Sequence, residues 1–583
     1  MLRMKFLSVR WLALVLAAIA CQALPVAAQS VQHLAAPQPG GMPGLPVMGG
    51  INQLTNGVQI TWDGPAGYYQ VFQKSNSLSA PWVAWCPATN LQRTATITQL
   101  YSNAFFRVSG PAPKYAGSKI CISCHLNVCR YETNTAHASA FSNTNFIAAG
   151  GQTNASCLVC HTVGYGLTVS GKPVGFVNAA TTPQFEGVQC ENCHGPAANH
   201  AASEDDPSVR PQVEIAATLC GGCHHADNIR PKPPTFEDWS ASAHAVMVPD
   251  ALQVMASSTN NIRNCGVCHS GSARLALING QDPAVTVKND YNLPQTCVVC
   301  HDPHATNSIA PAQLRNPLSS TNDFHLAGAA LTNAAAYTAL LTANTNINLC
   351  AQCHNDRGAA WTDTSRPPHH SLQYNMLLAT VGELAPFYPP YQAAHAGLPG
   401  SASVSISGTF YLTNQCAACH MQSFAASGGK PSHSFTVVTN VCANCHDISQ
   451  LPSLPLTTYV GGFSNQIAGL IGSLNQWAAA KAPAVLRTNA VVAWEYPTAD
   501  GLAWQINASG VLTGWTQSEQ TLPAFNGPAS AFQSSLTNYP GVLKARFDLY
   551  LVLNDGSMGA HNWLYSLFLL DSAQYFIQQE LNK

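Results

Sequence analysis

Two cysteines three positions apart, with a histidine directly after the second, recur nine times between residues 121 and 446. The cysteine pairs are Cys121 and Cys124, Cys157 and Cys160, Cys190 and Cys193, Cys220 and Cys223, Cys265 and Cys268, Cys297 and Cys300, Cys350 and Cys353, Cys416 and Cys419, and Cys442 and Cys445. The histidines are His125, His161, His194, His224, His269, His301, His354, His420 and His446. Two thiols at this spacing reach the two vinyl groups of one porphyrin, and the imidazole beside them lies under the ring and takes its iron. Zinc knuckles share the paired cysteines but do not need a histidine after every second one. The repeated motif therefore predicts nine covalently bound haem c groups. It accounts for eighteen of the 21 cysteines, leaving Cys21, Cys86 and Cys129.

Whether such irons conduct electrons or do chemistry depends on the sixth ligand. Of the 21 histidines, twelve lie outside the motifs: His33, His137, His200, His225, His244, His304, His325, His369, His370, His395, His433 and His561. Ten of these fall inside the motif-bearing stretch and are candidate distal ligands. His561 follows it, in Asp555-Gly-Ser-Met-Gly-Ala-His561-Asn562, a glycine-rich turn before the last helix from which an imidazole can reach back to an iron.

Charged residues make up only 9% of the chain, against about 25% in an ordinary soluble domain. The formal charge is -2, and haem propionates make the loaded protein more acidic, so nothing suggests nucleic acid. A weakly charged surface fits burial of neutral faces between copies, as a homo-oligomer or filament; glycans or Asn/Ser/Thr-rich surfaces fit it equally. Arg3, Lys5 and Arg10 precede an apolar run from Trp11 to Ala20, and Val26-Ala27-Ala28 offers a small-residue cleavage site, so residues 1–28 read as a secretory signal. Export agrees with haem attachment, which in bacteria takes place outside the cytoplasmic membrane, and predicts a periplasmic or extracellular protein. Ala18-Ile19-Ala20-Cys21 also admits a lipid anchor at Cys21. No other stretch reaches the roughly 18 apolar residues of a spanning helix.

The elements that must position these groups fall into four regions. Residues 29–50 read as a Pro/Gly linker. Residues 51–110 alternate in strand fashion, with Val58, Ile60 and Trp62 on one face, a turn at Asp63-Gly64-Pro65, and further strands at Tyr69 to Phe72, Thr94 to Leu100 and Phe105 to Val108, predicting a small β-sandwich. Such a domain serves as a spacer or as a docking or carbohydrate-contact module. Its Cys86 can pair with Cys129 in an oxidising compartment, or both can be lone thiols. Residues 115–447 carry the motifs so densely that the porphyrins replace a conventional core, wrapped by short helices and loops. Residues 455–583 read as helical, with Phe463, Ile467, Leu470, Ile471 and Leu474, then Leu543, Phe547, Tyr550 and Leu551, then Leu564, Leu567 and Phe568 at helix spacing. The Ala/Trp-rich stretch from Val491 to Trp515 fits no such pattern.

Several segments resemble a known family. Tyr115-Ala-Gly-Ser-Lys-Ile-Cys-Ile-Ser-Cys-His125 with Thr135-Ala-His137-Ala, Cys157-Leu-Val-Cys-His-Thr-Val-Gly-Tyr165, Gly187-Val-Gln-Cys-Glu-Asn-Cys-His-Gly-Pro196 with His200, and Trp239-Ser-Ala-Ser-Ala-His244 are similar to multihaem cytochromes c related to the tetrahaem electron carrier of ammonia-oxidising bacteria. The resemblance covers residues 115–270 and makes His137, His200 and His244 distal ligands of haems attached elsewhere. Cys297 to His304, and His433 before Cys442, look like further ligand patterns of multihaem cytochromes. The Asp555 to Asn562 segment is similar to the closing helix of pentahaem nitrite reductases, where the matching histidine is axial. Two departures matter: those reductases hold the catalytic haem through Cys-x-x-Cys-Lys, absent here, and the tetrahaem relative leaves one haem without a protein distal ligand.

The expected fold is thus a mainly α and irregular multihaem cytochrome c fold packed around haems, with a small N-terminal β-sandwich domain and a C-terminal helical region contributing a distal ligand. The distal set is His137, His200, His244, His304, His325, His369 or His370, His395, His433 and His561. His225 follows the proximal His224 and faces solvent or a propionate; Met247, Met376 and Met421 are weaker ligands. Two imidazoles on every iron give low potentials and no open position, so the leading function is electron transfer between redox partner proteins or to an extracellular acceptor. The rival is an oxidoreductase acting on a small nitrogen or sulfur species at one five-coordinate haem, with His561 or His325 then not a ligand and Arg357, Arg366 and Tyr374 lining the pocket. A third reading, adhesion through residues 51–110, ranks last.

Overall fold

In strand β2 (Gly57–Asp63), Val58, Ile60 and Trp62 alternate onto one face and are 6%, 0% and 2% exposed, the period-two pattern of a half-buried strand. It pairs antiparallel with β1 (Val47–Leu54), Ile51 facing Ile60, and with β5 (Thr94–Ile97), Val58 facing Ile97. A second three-stranded antiparallel sheet has β3 (Gln70–Lys74) between β4 (Val83–Ala84) and β6 (Phe105–Ser109). β1 starts inside the stretch read as linker, because Val47 and Met48 pair with Asp63 and Trp62.

This is a computed structural model that describes residues 47–54, 57–63, 70–74, 83–84, 94–97, 105–109, 112–132, 134–211, 213, 215–226, 234–288, 290–304, 311–315, 349–388, 415–422, 431–437, 456–487, 492–497, 502–506, 512–517 and 527–583. The signal-like segment with Cys21, and His33, Gly64, Pro65, Cys86, His325, His395 and the motif from Cys442 to His446, lie outside the described residues.

Most of the motif-bearing stretch is short helices and irregular chain. Motifs sit on short helices of one or two turns, among them Ser118–Cys124, Ala155–His161, Cys190–His194, Cys297–Cys300 and Gln415–His420. One helical turn brings positions i, i+3 and i+4 to one face, so both sulfurs and the imidazole point the same way. Side-chain clusters here are small: Phe141, Leu158, Val163, Phe176 and Phe185 form one, and Met255, Ile262, Ala273, Ala276 and Val287 another.

The chain divides into two compact units: residues 1–237 with 303–308, and residues 238–302 with 309–583. The second holds an extensive conventional core built on α1 (Leu456–Ala480), α2 (Pro540–Asp555) and α3 (Trp563–Leu581). Phe463, Ile467, Leu470, Ile471, Leu474 and Trp477 of α1 form its buried face. On α3 the fully buried face is Tyr565, Leu569, Leu570, Ala573 and Ile577, while Leu564, Leu567 and Phe568 are half-buried. α2 is buried on nearly all sides and carries Arg546 and Asp548 inside. The Arg546 guanidinium donates to Trp494 O and Gln533 Oε1 and lies 3.8 Å from the Tyr496 ring centre, and Asp548 accepts the Glu383 N–H. Leu372, Met376, Ala379 and Val381, inside the stretch read as haem-bearing, pack into this core too.

The region read as helical also contains an antiparallel hairpin, β7 (Leu502–Ile506) and β8 (Leu512–Gln517), with Trp504 opposite Trp515. Its Leu502, Trp504 and Ile506 alternate with period two, the signal that the Ala/Trp-rich stretch concealed.

Candidate haem centres

The first unit brings three motif histidines opposite three others. His125, closing the helix Ser118–Cys124, faces His200 on the helix Ala198–Ala202 with ring centres 6.3 Å apart; His224 faces His137 at 6.0 Å; His194 faces His304 at 6.0 Å. The second unit holds four such pairs: His354 with His244 at 6.2 Å, His269 with His369 at 6.1 Å, His301 with His433 at 6.1 Å and His420 with His561 at 6.3 Å.

These separations fit one iron between two imidazoles. A metal–imidazole bond is about 2 Å long, and adding the half-width of each ring places the two centres about 6 Å apart. Among the described residues no three His, Cys, Asp or Glu gather as a metal-ion site. The histidines come in twos, the number of axial positions that a porphyrin leaves on its iron.

Hydrogen bonding turns the right nitrogen inward. Nδ1 of His161 donates to Ala140 O at 2.9 Å, of His301 to Ala312 O at 2.8 Å, of His420 to Phe435 O at 2.9 Å and of His433 to Pro431 O at 3.2 Å. A carbonyl only accepts, so the proton sits on Nδ1 and Nε2 keeps its lone pair for a metal. Burial disfavours the charged form of several of the paired rings: it lowers His137, His301, His354 and His433, and with neighbouring charges takes His244 and His269 down to about 4 and His369 to about 3. His561 goes the other way. Burial opposes its charge, but the carboxylate of Asp555, 2.7 Å from Nδ1, outweighs burial and raises it.

Between His369 and His370 the geometry discriminates, because His369 faces His269 while His370 stacks on His369 at 4.2 Å. His225 is half-buried, its Nδ1 against Ala226 O at 2.9 Å. Phe146 stacks on His161 at 4.1 Å. Around His354, Arg357 donates to Asn264 O, Arg366 lies 3.8 Å from Asp363, and Tyr374 is buried. Cys129 is buried at 3% exposure.

The motifs also touch one another. Cysteine sulfurs of different motifs neighbour one another: Cys121 and Cys190, Cys268 and Cys353, and Cys350 and Cys416. Cys268 Sγ also lies 3.9 Å from Gln352 O, and Cys353 Sγ 3.9 Å from Val267 O. The motif from Cys350 to His354 thus adjoins the motifs at Cys265 and Cys416.

Sequence reasoning missed Glu191, the residue inside the Cys190 motif. Its carboxylate is 2% exposed and accepts the N–H groups of Ala116 at 3.0 Å, Gly117 at 2.7 Å and Ala197 at 2.7 Å, tying the start of the first motif to the third. Burial lifts its carboxyl above the usual range, with the backbone donors pulling the other way. The Glu191→Ala variant leaves three donors without an acceptor, each costing about 1–3 kcal/mol. It is expected to lose about 4 kcal/mol, read as a lower denaturation midpoint, with Glu191→Gln in between; a loss under about 1 kcal/mol would remove this clamp from the account.

Residues 120–195, which take in the first three motifs, match the family described as cytochrome c554 and c-prime. The multihaem cytochrome MtrA of Shewanella baltica strain OS185 is 26% identical over 191 residues, 30% of this chain and 52% of that protein, so the match spans about half of the relative. An undecahaem cytochrome from the S-layer of Carboxydothermus ferrireducens superposes with TM-score 0.46 and 19% identity, over 80% of this chain and 70% of that one. The outer cell wall cytochrome OcwA does so with TM-score 0.47 and 17% identity, over 80% and 100%. At those scores neither superposition carries an argument. Among the described residues no helix is long and apolar enough to cross a membrane. A haem attachment motif repeated along the chain, with its first three copies inside the segment that matches a cytochrome family, makes this protein a multihaem cytochrome c with covalently bound haem c.

Proposed function

We propose that the chain is an electron conduit carrying nine haems, each iron held between two imidazoles. The observation that carries this reading is the set of seven histidine pairs at 6.0 to 6.3 Å. In each pair one member is a motif histidine, which takes the proximal place, and the other is distal: His200, His137, His304, His244, His369, His433 and His561. His325 and His395, which lie outside the described residues, are the sequence's candidates for the distal places that these pairs leave open. Haem supplies the one-electron chemistry; the protein closes both axial faces and brings attachment motifs into contact, which keeps transfer distances short. The motif at Cys350 adjoins two others and serves as a central relay of the second unit. The secretory signal supports a periplasmic or extracellular location and a redox partner or extracellular acceptor there. The tetrahaem carriers and nitrite reductases that the sequence resembles are relatives in this reading, and the two N-terminal sheets pack as a β-sandwich spacer.

Two measurements test this. Pyridine haemochrome and intact mass should both return nine haems per chain; a count of eight or fewer contradicts the motif reading. Low-temperature EPR should resolve different low-spin line shapes, since the ring planes of His194 and His304 are within 9° of parallel while those of His244 and His354 stand at 83°. Near-parallel rings split the iron orbitals and give a rhombic spectrum, whereas near-perpendicular rings leave them almost degenerate and give a highly anisotropic one. A spectrum of one rhombic type throughout contradicts the assigned pairs.

A further inference from the structure

α2 ends on Asp555, where the free carbonyls of a helix C-terminus disfavour a carboxylate. Asp555 is nevertheless buried, at 3% exposure. Its Oδ1 accepts the Nδ1–H of His561 at 2.7 Å, and its Oδ2 accepts the Ser557 hydroxyl. The turn that folds His561 back is fixed by two left-handed glycines, Gly556 at φ 67° and Gly559 at φ 88°, and a Cβ on Gly559 would meet the Phe463 ring at 2.7 Å. Paired imidazoles elsewhere meet neutral oxygens at Nδ1: Phe435 O for His420, Ala312 O for His301, Pro431 O for His433, Gln373 Oε1 for His354 and Ser371 Oγ for His369. A carboxylate placed at an unfavourable helix end, buried and aimed at a ring nitrogen, is a local cost with a functional return.

We propose that Asp555, acting through His561 as a positioning residue, sets the reduction potential of the haem attached at Cys416 and Cys419 below the value that a neutral partner would give. This rests on His420 and His561 being the axial pair. A carboxylate accepting Nδ1–H makes the imidazole a stronger donor, and its buried negative charge opposes the arrival of an electron nearby. Both effects favour the ferric iron. Reduction adds one electron, supplied by a redox partner, and the Nδ1 proton stays between His561 and Asp555.

Spectroelectrochemical titration of the purified holoprotein tests this with two variants. Asp555→Asn should move one component of the redox curve upward and leave the others superimposable. Ser557→Ala removes a donor from the carboxylate, strengthens its hold on the His561 proton, and should move the same component downward. Unchanged curves, or shifts of both variants in one direction, overturn the proposal. Should Asp555→Asn fail to accumulate with its full haem complement, the direction of the Ser557→Ala shift decides. His561→Ala separates the two levels: a new high-spin ferric haem supports the axial pair, so that a flat Asp555→Asn result then refutes the tuning alone, and its absence refutes both.

Discussion

Replacing His244 with alanine is expected to turn one low-spin haem high-spin and open it to cyanide in the ferric protein and carbon monoxide in the ferrous. His244 sits in the short helix Ala243–Ala245, 6.2 Å from His354, with the Phe435 ring edge-on at 4.5 Å. Burial keeps it neutral, so its lone pair is available at ordinary pH. Alanine there leaves the sixth position to water or an added ligand, and the potential of that haem rises with the loss of a strong donor. Because the Cys350 motif adjoins those at Cys265 and Cys416, stopped-flow reduction should also turn from a smooth course into a biphasic one. An unchanged spin state would remove His244 from the ligand set. A converted haem with unaltered kinetics would remove the relay.

The second large effect is the loss of haem itself. Produced where haem is not attached, the chain should lose its structure through the motif-bearing stretch, apart from the Leu372 to Ala385 segment packed on the C-terminal core, while that core survives. The clusters around Phe141 and Met255 each hold five buried residues, too few to offset the entropy of ordering the surrounding chain. The core of α1, α2 and α3 is far larger and needs no cofactor to close. Limited proteolysis read by mass spectrometry should therefore return protected peptides from residues 456–583 and from the Leu372 to Ala385 stretch packed on them, and rapid cleavage between the motifs. Uniform resistance along the chain would show that the motif-bearing part folds on protein contacts alone.

The covalent chemistry was legible in the sequence because it is local: two thiols and an imidazole on one helical turn need no knowledge of the fold. The distal partners are long-range. His244 and His354 meet across 110 positions, His420 and His561 across 141; placement in the chain and segment resemblance brought such residues forward as candidates, but neither said which motif each would face. Helices α1 and α2 were readable from their apolar period. The hairpin at Leu502 was not, because a five-residue strand amid alanines has too few positions to show its alternation. Glu191 and Asp555 escaped for a different reason. Each is an ordinary acidic residue whose role comes from burial against groups that sequence proximity does not reveal, the N–H groups of Ala116 and Gly117 in one case and a folded-back imidazole in the other.

We propose that every iron is closed by two protein imidazoles, which makes the chain an electron conduit with no open iron for a substrate. EPR of the ferric holoprotein, with cyanide and nitrite added in turn, tests it most directly. Low-spin signals that integrate to the full haem count and respond to neither ligand are expected. A high-spin signal near one haem equivalent that shifts on ligand addition would contradict it and place an open catalytic iron in the chain.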